Sequence, residues 1–288
     1  MRSGDRTVRV LLGSTALSGA LLLSSSPARA VDISAGSELT SVEVHGFASQ
    51  GFLVTKGNNY LDTDSTHGSF QFSEVGINFT KSLTDKLRLG VQLFAQDFGP
   101  TGSYDIKADW FYVDYHWRDW LGFRAGRVKI PFGLYNEVQD IDSARVAVLL
   151  PQSVYPEQNR NYLLAQTGVE LYGYAKLGAG GGALDYRLYG GTIFLDTTTP
   201  SSSPYQLSSF NVPYLAGGRL LWETPLEGLR IGGSAQTLRL DATVVDGAMS
   251  AGLQIPAILS VGSVEYAHGD LVLAAEYSRW IISENTTN

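Results

Sequence analysis

From Val42 to Ile281 apolar and polar residues alternate with a period of two, in segments that mostly run eleven to thirteen residues and return about every twenty. Such alternation sends successive side chains to opposite faces of a strand, and helical spacing is almost absent, so the fold class it predicts is all-β. In Lys86–Asp97, Leu87, Leu89, Val91, Leu93 and Ala95 form one face, and Arg88, Gly90, Gln92, Phe94 and Gln96 the other. In Gln166–Leu177, Val169, Leu171, Gly173, Ala175 and Leu177 oppose Glu170, Tyr172, Tyr174 and Lys176. Eleven strands follow: Val42–Val54, Phe70–Lys81, Lys86–Asp97, Asp105–Trp117, Leu121–Ile130, Gln166–Leu177, Ala183–Leu195, Tyr214–Thr224, Leu229–Leu240, Ala257–Ala267 and Leu271–Ile281. Strands of soluble sandwiches are usually about five or six residues, whereas a tilted strand crossing a bilayer needs about 9–11. The lengths therefore predict an antiparallel transmembrane β-barrel.

The connections support this, because they alternate long and short, as when tight turns lie on one side of a membrane and large loops on the other. Ser82–Asp85, Gly178–Gly182, Pro225–Gly228 and His268–Asp270 carry turn chemistry. Trp110, Tyr112, Tyr115, Trp117 and Trp120 crowd one strand, and Tyr172, Tyr174, Tyr214, Trp222, Tyr277 and Trp280 lie toward strand ends. Interfacial girdles would place aromatics this way. Before the first strand, Arg2, Arg6 and Arg9 precede an apolar stretch, Val10–Leu23, and Ala28-Arg29-Ala30 closes it. Residues 1–30 thus read as a cleaved signal peptide, with the barrel domain occupying 31–288. Removing their four Arg and one Asp leaves 17 basic and 27 acidic residues, a balance that argues against nucleic acid. The chain holds no Cys, which excludes disulfides, thiolate metal sites and thiol nucleophiles.

If the polar faces line a pore, the residues they present decide its selectivity. Arg88, Arg124, Lys176, Arg187, Arg219 and Arg230 share that face with Glu170, Asp185, Glu223 and Glu276. Two readings stay open: a positive ladder that attracts oxyanions, or cross-strand ion pairs that cancel it. Arg127 and Lys129 have the opposite parity from Arg124, which requires a bulge or a position at the rim. The longest connection, 131–165, follows the fifth strand and contains the apolar run Val146–Leu150. A loop this long is either functional or disordered, and packing inside the barrel would hide that run. It would then bring Glu137, Asp140, Asp142, Arg145, Glu157 and Arg160 to a constriction.

The segment Leu121–Glu137, with its Gly126-Arg127-Val128-Lys129-Ile130-Pro131-Phe132-Gly133 core, its continuation Val148–Tyr155 and the opening His45–Phe52 resemble Gram-negative outer-membrane porins. The similarity is to the phosphate-selective porin O/P group in particular. The resemblance implies a barrel of about sixteen strands, a homotrimer, a loop after strand five folded into the lumen, and passage of small hydrophilic solutes or anions across the bacterial outer membrane. Eleven strands are odd in number and leave two edges in lipid, so about five more are expected beyond Asn288.

Other chemistry finds little support. There is no Gly-x-Ser-x-Gly and no His-Glu-x-x-His, and His45, His67, His116 and His268 are scattered, so no catalytic residue, metal site or cofactor is assigned. Gly178–Ala183 half-matches a dinucleotide fingerprint but joins two strands, and Asp62–His67 lacks the Gly and distal Glu of a calcium loop. The expectation is a porin for passive diffusion. Its alternatives are a phosphate- or anion-selective pore and a secreted β-sandwich adhesin or glycan-binding module.

Overall fold

A computed structural model of the chain describes residues 41–61, 64–99, 102–141, 144–145, 147–194, 206–246, 249–283 and 285–287. The signal peptide at 1–30, Asp142 and Val146 lie outside the described residues. The protein is all-β, one antiparallel meander in which each strand pairs with its sequence neighbours. The strands are β1 (Glu43–Gln50), β2 (Ser73–Ser82), β3 (Leu87–Asp97), β4 (Lys107–Arg118), β5 (Leu121–Lys129), β6 (Ala165–Lys176), β7 (Ala183–Phe194), β8 (Gln206–Glu223), β9 (Leu229–Asp246), β10 (Met249–His268) and β11 (Leu271–Ile282). A short β12 (Asn285–Thr287) continues β11 along β10 in unchanged register. The interruption faces Pro256, whose carbonyl accepts from the Ser283 amide but whose nitrogen has no proton to return. Among the described residues β1 and β11 do not pair, and the sheet is open between them.

The period-two pattern maps onto this sheet as two faces. Leu89, Val113, Phe123, Val169, Leu188, Leu220, Ile231, Ile258 and Leu273 all sit on the outer face and are exposed there. Direct pairing keeps them in common rows, for instance Leu87 with Tyr115 and Tyr115 with Phe123. Tyr115, Trp117 and Trp120 belong to this face, whereas Trp110 and Tyr112 stack at 5.0 Å on the inner one. Glycine makes room for rings laid flat on the inner wall. A Cβ on Gly122 would lie 2.3 Å from the Tyr172 ring, and one on Gly76 would lie 2.3 Å from that of Phe47.

Two expectations need correction. Residues 206–213 and 241–256, read as parts of long loops, extend β8, β9 and β10 instead, so that only 247–248 separate β9 from β10. Loop parity does not hold there. Pro213 sits in the register shift between Asn211 and Tyr214, a place where a sheet tolerates proline. The inner face is also not uniformly polar: Tyr189, Ile193, Val212, Leu215, Leu238, Leu259 and Val261 form an apolar patch across β7–β10.

A bulge does lie beside Arg127 and Lys129, but on β4 and not on β5, whose register with β6 runs unbroken through Lys129. The register of β3 with β4 shifts between Gln92 and Leu93, leaving Asp109 as the extra residue, with its carboxylate turned inward. On β5, Gly126 adopts φ +134°, and past it Arg127 Nε donates to the Asp109 carbonyl while Lys129 reaches the Asp140 carboxylate. A Cβ at Gly126 would meet the Phe111 carbonyl oxygen at 2.3 Å. Gly126→Ala is therefore expected to cost about 1–3 kcal/mol, read as a lower urea midpoint of unfolding by tryptophan fluorescence.

Candidate functional site

The β5–β6 connection lies along the inner face. Among its described residues are two single 3-10 turns, Asn136–Val138 and Glu157–Asn159, and one helical turn, α1 (Arg160–Leu163). Its apolar side, made of Ile130, Phe132, Leu150, Val154, Tyr155 and Leu163, packs on the β7–β10 patch. The run Val146–Leu150 contributes less than expected, since Leu150 is buried but Val148 is exposed. The apolar anchors instead come from both ends of the segment.

Polar contacts fasten the segment at three places. On β3–β5, Gln92 Nε2 donates to Asp140 at 2.5 Å, Lys129 pairs with Asp140, and Arg160 Nη1 lies 2.9 Å from the Asp109 carboxylate. The Arg160 guanidinium also covers the Phe94 ring at 4.1 Å. On β7–β8, Glu137 receives Arg187 Nη1 at 2.7 Å on one oxygen and Arg219 Nη1 at 3.0 Å on the other. On β10–β11, the Glu276 carboxylate accepts from Tyr155 Oη at 2.7 Å, the Leu134 amide at 2.9 Å and Ser263 Oγ at 2.7 Å. Tyr135 Oη donates to Glu265 at 2.8 Å, and Ser278 Oγ donates to the Ser153 carbonyl at 2.7 Å.

Beneath the segment the wall carries a row of alternating charge. Arg88, Asp114, Arg124 and Glu170 are direct partners in one register across β3–β6. Arg88 and Arg124 both lie 3.4 Å from Asp114, and Arg124 Nη1 is 3.0 Å from Glu170. Arg124 also lies over the Tyr172 and Tyr112 rings, at 4.4 and 5.1 Å. One step along, Arg187 and Arg219 oppose each other directly on β7 and β8, with Asp185 at 3.6 Å from Arg187 and 3.1 Å from Arg219. Of the two readings left open by the sequence, the contacts are those of paired charges.

The other candidate residues divide by location. Arg230 pairs with Glu265, and Glu223 accepts from Tyr174 Oη at 2.7 Å. Lys176 is exposed at the end of β6, away from the row. The Arg145 guanidinium donates to the carbonyls of Gln139, Ala147 and Val148 within its own segment. Glu157 sits by Arg160 at 3.9 Å, and one of its oxygens is buried without a hydrogen bond. Sequence reasoning missed Asp109, Asp114, Gln92 and Glu265. Asp114 and Glu265 occupied the polar parity and were legible there, whereas Asp109 is turned inward by a bulge that leaves no mark in the pattern.

Electrostatics separate the carboxylates of the segment. Burial alone would raise the Glu137 pKa, but Arg187 and Arg219 outweigh it and hold the group below the ordinary carboxylate range. Burial likewise opposes ionisation of Asp140, and Lys129 with Arg160 overcomes it. For Glu157 burial wins and pushes the pKa up, Arg160 offsetting only part of it. The signs are opposite. Glu137 and Asp140 contribute stability that is present above the ordinary carboxylate pKa and is lost as pH falls through their depressed values. Glu157 disfavours the docked segment once pH rises above its unfolded pKa. Glu157→Gln should stabilise the protein at pH 7 by on the order of 1 kcal/mol in urea unfolding. Asp140→Ala, which leaves Lys129 and Arg160 short of a counter-charge, should cost about 3 kcal/mol in the same measurement.

Among solved structures, Salmonella typhi OmpF in complex with daunomycin aligns with 84% of this chain and 79% of its own at 10% identity, with a TM-score of 0.42. A loop L8 deletion mutant of Vibrio cholerae OmpT, an outer membrane protein, aligns over 86% of this chain and 99% of its own at 12% identity and a TM-score of 0.30. Outer-membrane expressed OmpT of Vibrio cholerae covers 86% and 89% at 12% identity and 0.29. No protein-family model matches the chain, and no curated protein does.

Proposed function

We propose that the chain is a porin of the bacterial outer membrane, exported by its signal peptide, that lets small hydrophilic solutes and ions diffuse passively through a water-filled channel. One observation carries this reading. A long segment rich in charge packs along one face of the sheet, while the other face presents exposed apolar residues on strand after strand. In water such an outer face would be a severe aggregation hazard; against lipid it is the required solvent boundary. The inner face has the opposite character where the segment leaves it, with ion pairs and tyrosine hydroxyls suited to hydrated passage.

In this reading residues 130–164 form the constriction, and Arg88, Arg124, Arg187, Arg219, Arg230, Lys176, Glu170, Asp185 and Glu223 face the pore. Assembly is as a homotrimer in lipid, and the solute undergoes no reaction. The alternation of charge along the wall favours weak ion preference over phosphate selectivity, because each arginine of the row has a carboxylate within about 3.6 Å or less. A secreted glycan-binding sandwich is the reading that fractionation would separate.

Reconstituted in planar bilayers, the protein should show stepwise conductance with cation and anion permeabilities within roughly three-fold of each other. Replacing Arg88, Arg124 and Arg219 with Gln should shift the reversal potential toward cations. Spin labels at Leu89, Val91 and Leu171 should be relaxed by oxygen dissolved in the bilayer and not by aqueous reagents. A protein recovered from the soluble medium, with those labels open to water, would end the proposal.

A further inference from the structure

Arg187 and Arg219 are direct cross-strand partners, an arrangement that costs free energy when two like charges face each other. Both are largely buried, Arg219 to nine-tenths, so water does little to screen them. The wall row holds four arginines, Arg88, Arg124, Arg187 and Arg219, against three carboxylates of its own, Asp114, Glu170 and Asp185. The fourth carboxylate comes from the segment. Glu137 places one oxygen on each guanidinium, at 2.7 and 3.0 Å, as a planar carboxylate bridging two arginines does. The Nε groups of both arginines remain buried without a hydrogen bond, so the wall keeps donors beyond those Glu137 uses.

We propose that Arg187 and Arg219, with Arg124 beside them, form a carboxylate-binding subsite on the channel wall, and that Glu137 occupies it as a resident occupant that a solute carboxylate displaces. The proposal deepens the channel reading and rests on it for access of the solute. Displacement needs no unfolding of the segment. The Glu137 carbonyl is held separately by Lys129 Nζ at 2.9 Å, and a single 3-10 turn carries the residue, so rotation of its side chain suffices. Once it leaves, the row has one positive charge in excess and two guanidinium groups aimed at one point. The two donors are spaced as the two oxygens of the resident carboxylate are, one guanidinium to each oxygen, so a solute carboxylate is the group that spacing fits.

Isothermal calorimetry on the full chain in detergent micelles tests the site without requiring conductance. Acetate, succinate and inorganic phosphate serve as probes, at low ionic strength. With the competitor removed, Glu137→Gln should bind acetate and succinate at least ten-fold more tightly than the unaltered protein. Adding Arg219→Gln to that variant should abolish the gain, and Glu137→Ala should reproduce it. Equal affinities in the unaltered protein and Glu137→Gln would overturn the proposal, as would tighter binding of phosphate than of succinate. So would unfolding of both Glu137 variants, because the residue would then be a structural keystone and not an exchangeable occupant. A protein that binds in the expected pattern but never conducts would retain the subsite and lose the channel; a conducting protein without the pattern would do the reverse.

Discussion

Charge compensation between the wall and the segment laid on it is the interaction on which the rest of the inner structure depends. Neither side is satisfied alone. Arg187 and Arg219 oppose each other across β7 and β8, and the wall supplies Asp185 as their shared partner until Glu137 arrives. Glu137 and Asp140, in turn, are carboxylates withdrawn from water, a costly state unless cations meet them. The attraction is directional as well as strong. A guanidinium fork accepts a carboxylate in few orientations, so the buried Arg160–Asp109 pair fixes where along the wall the segment rests, and Glu137 fills a place that another carboxylate could take.

The apolar contacts solve a different part of the problem. Ion pairs at Asp140 and Glu137 hold the segment to opposite groups of strands, β3–β5 and β7–β8, yet pairs that lose hydration add little net stability by themselves. Burial of Ile130, Phe132, Val154, Tyr155 and Leu163 against Ile193, Leu215, Leu238 and Leu259 supplies the favourable area. The Tyr155–Glu276 contact then ties the same apolar cluster to β11, near the open edge of the sheet. One segment thereby links β3 to β11 through its own side chains.

Most of the fold was legible because a two-residue period over eleven residues means a strand with two faces, although the register that pairs Leu87 with Tyr115 and Tyr115 with Phe123 came only from the structure. What the pattern did not contain was lost for specific reasons. The extensions of β8–β10 include Pro213 and Pro256 and runs of small residues, which look like loop when no partner strand is in view. The bulge at Asp109 turns that carboxylate inward without changing composition, so its place in the site could not be read. Leu215, Leu238, Leu259 and Val261 stood on the polar parity in plain sight, and an apolar exception on a wet face is itself evidence of something packed there. For the site, Glu137, Asp140 and Arg160 were identifiable as charges in a long segment. Arg187 and Arg219 were identifiable on the polar face as well, but which charges would meet was not, because the pairs of Glu137 with those two arginines and of Arg160 with Asp109 join distant parts of the chain and are set by the fold, not by local spacing.

A wall of paired charges and an oxyanion subsite are compatible, because they act over different distances. Adjacent strands lie about 4.8 Å apart, so a row running Arg, Asp, Arg, Glu across β3–β6 reverses sign at each step. An ion at about a Debye length, roughly 8 Å in physiological salt, meets fields that largely cancel and has little reason to prefer one sign. Within hydrogen-bond reach the cancellation fails. There the arrangement of individual donors matters, and two buried guanidinium groups converging on one carboxylate distinguish that group sharply from chloride or water. Bulk ion preference and local recognition are thus separate properties of the same residues: the first follows from the sum of charges along the row, the second from the geometry at one point in it.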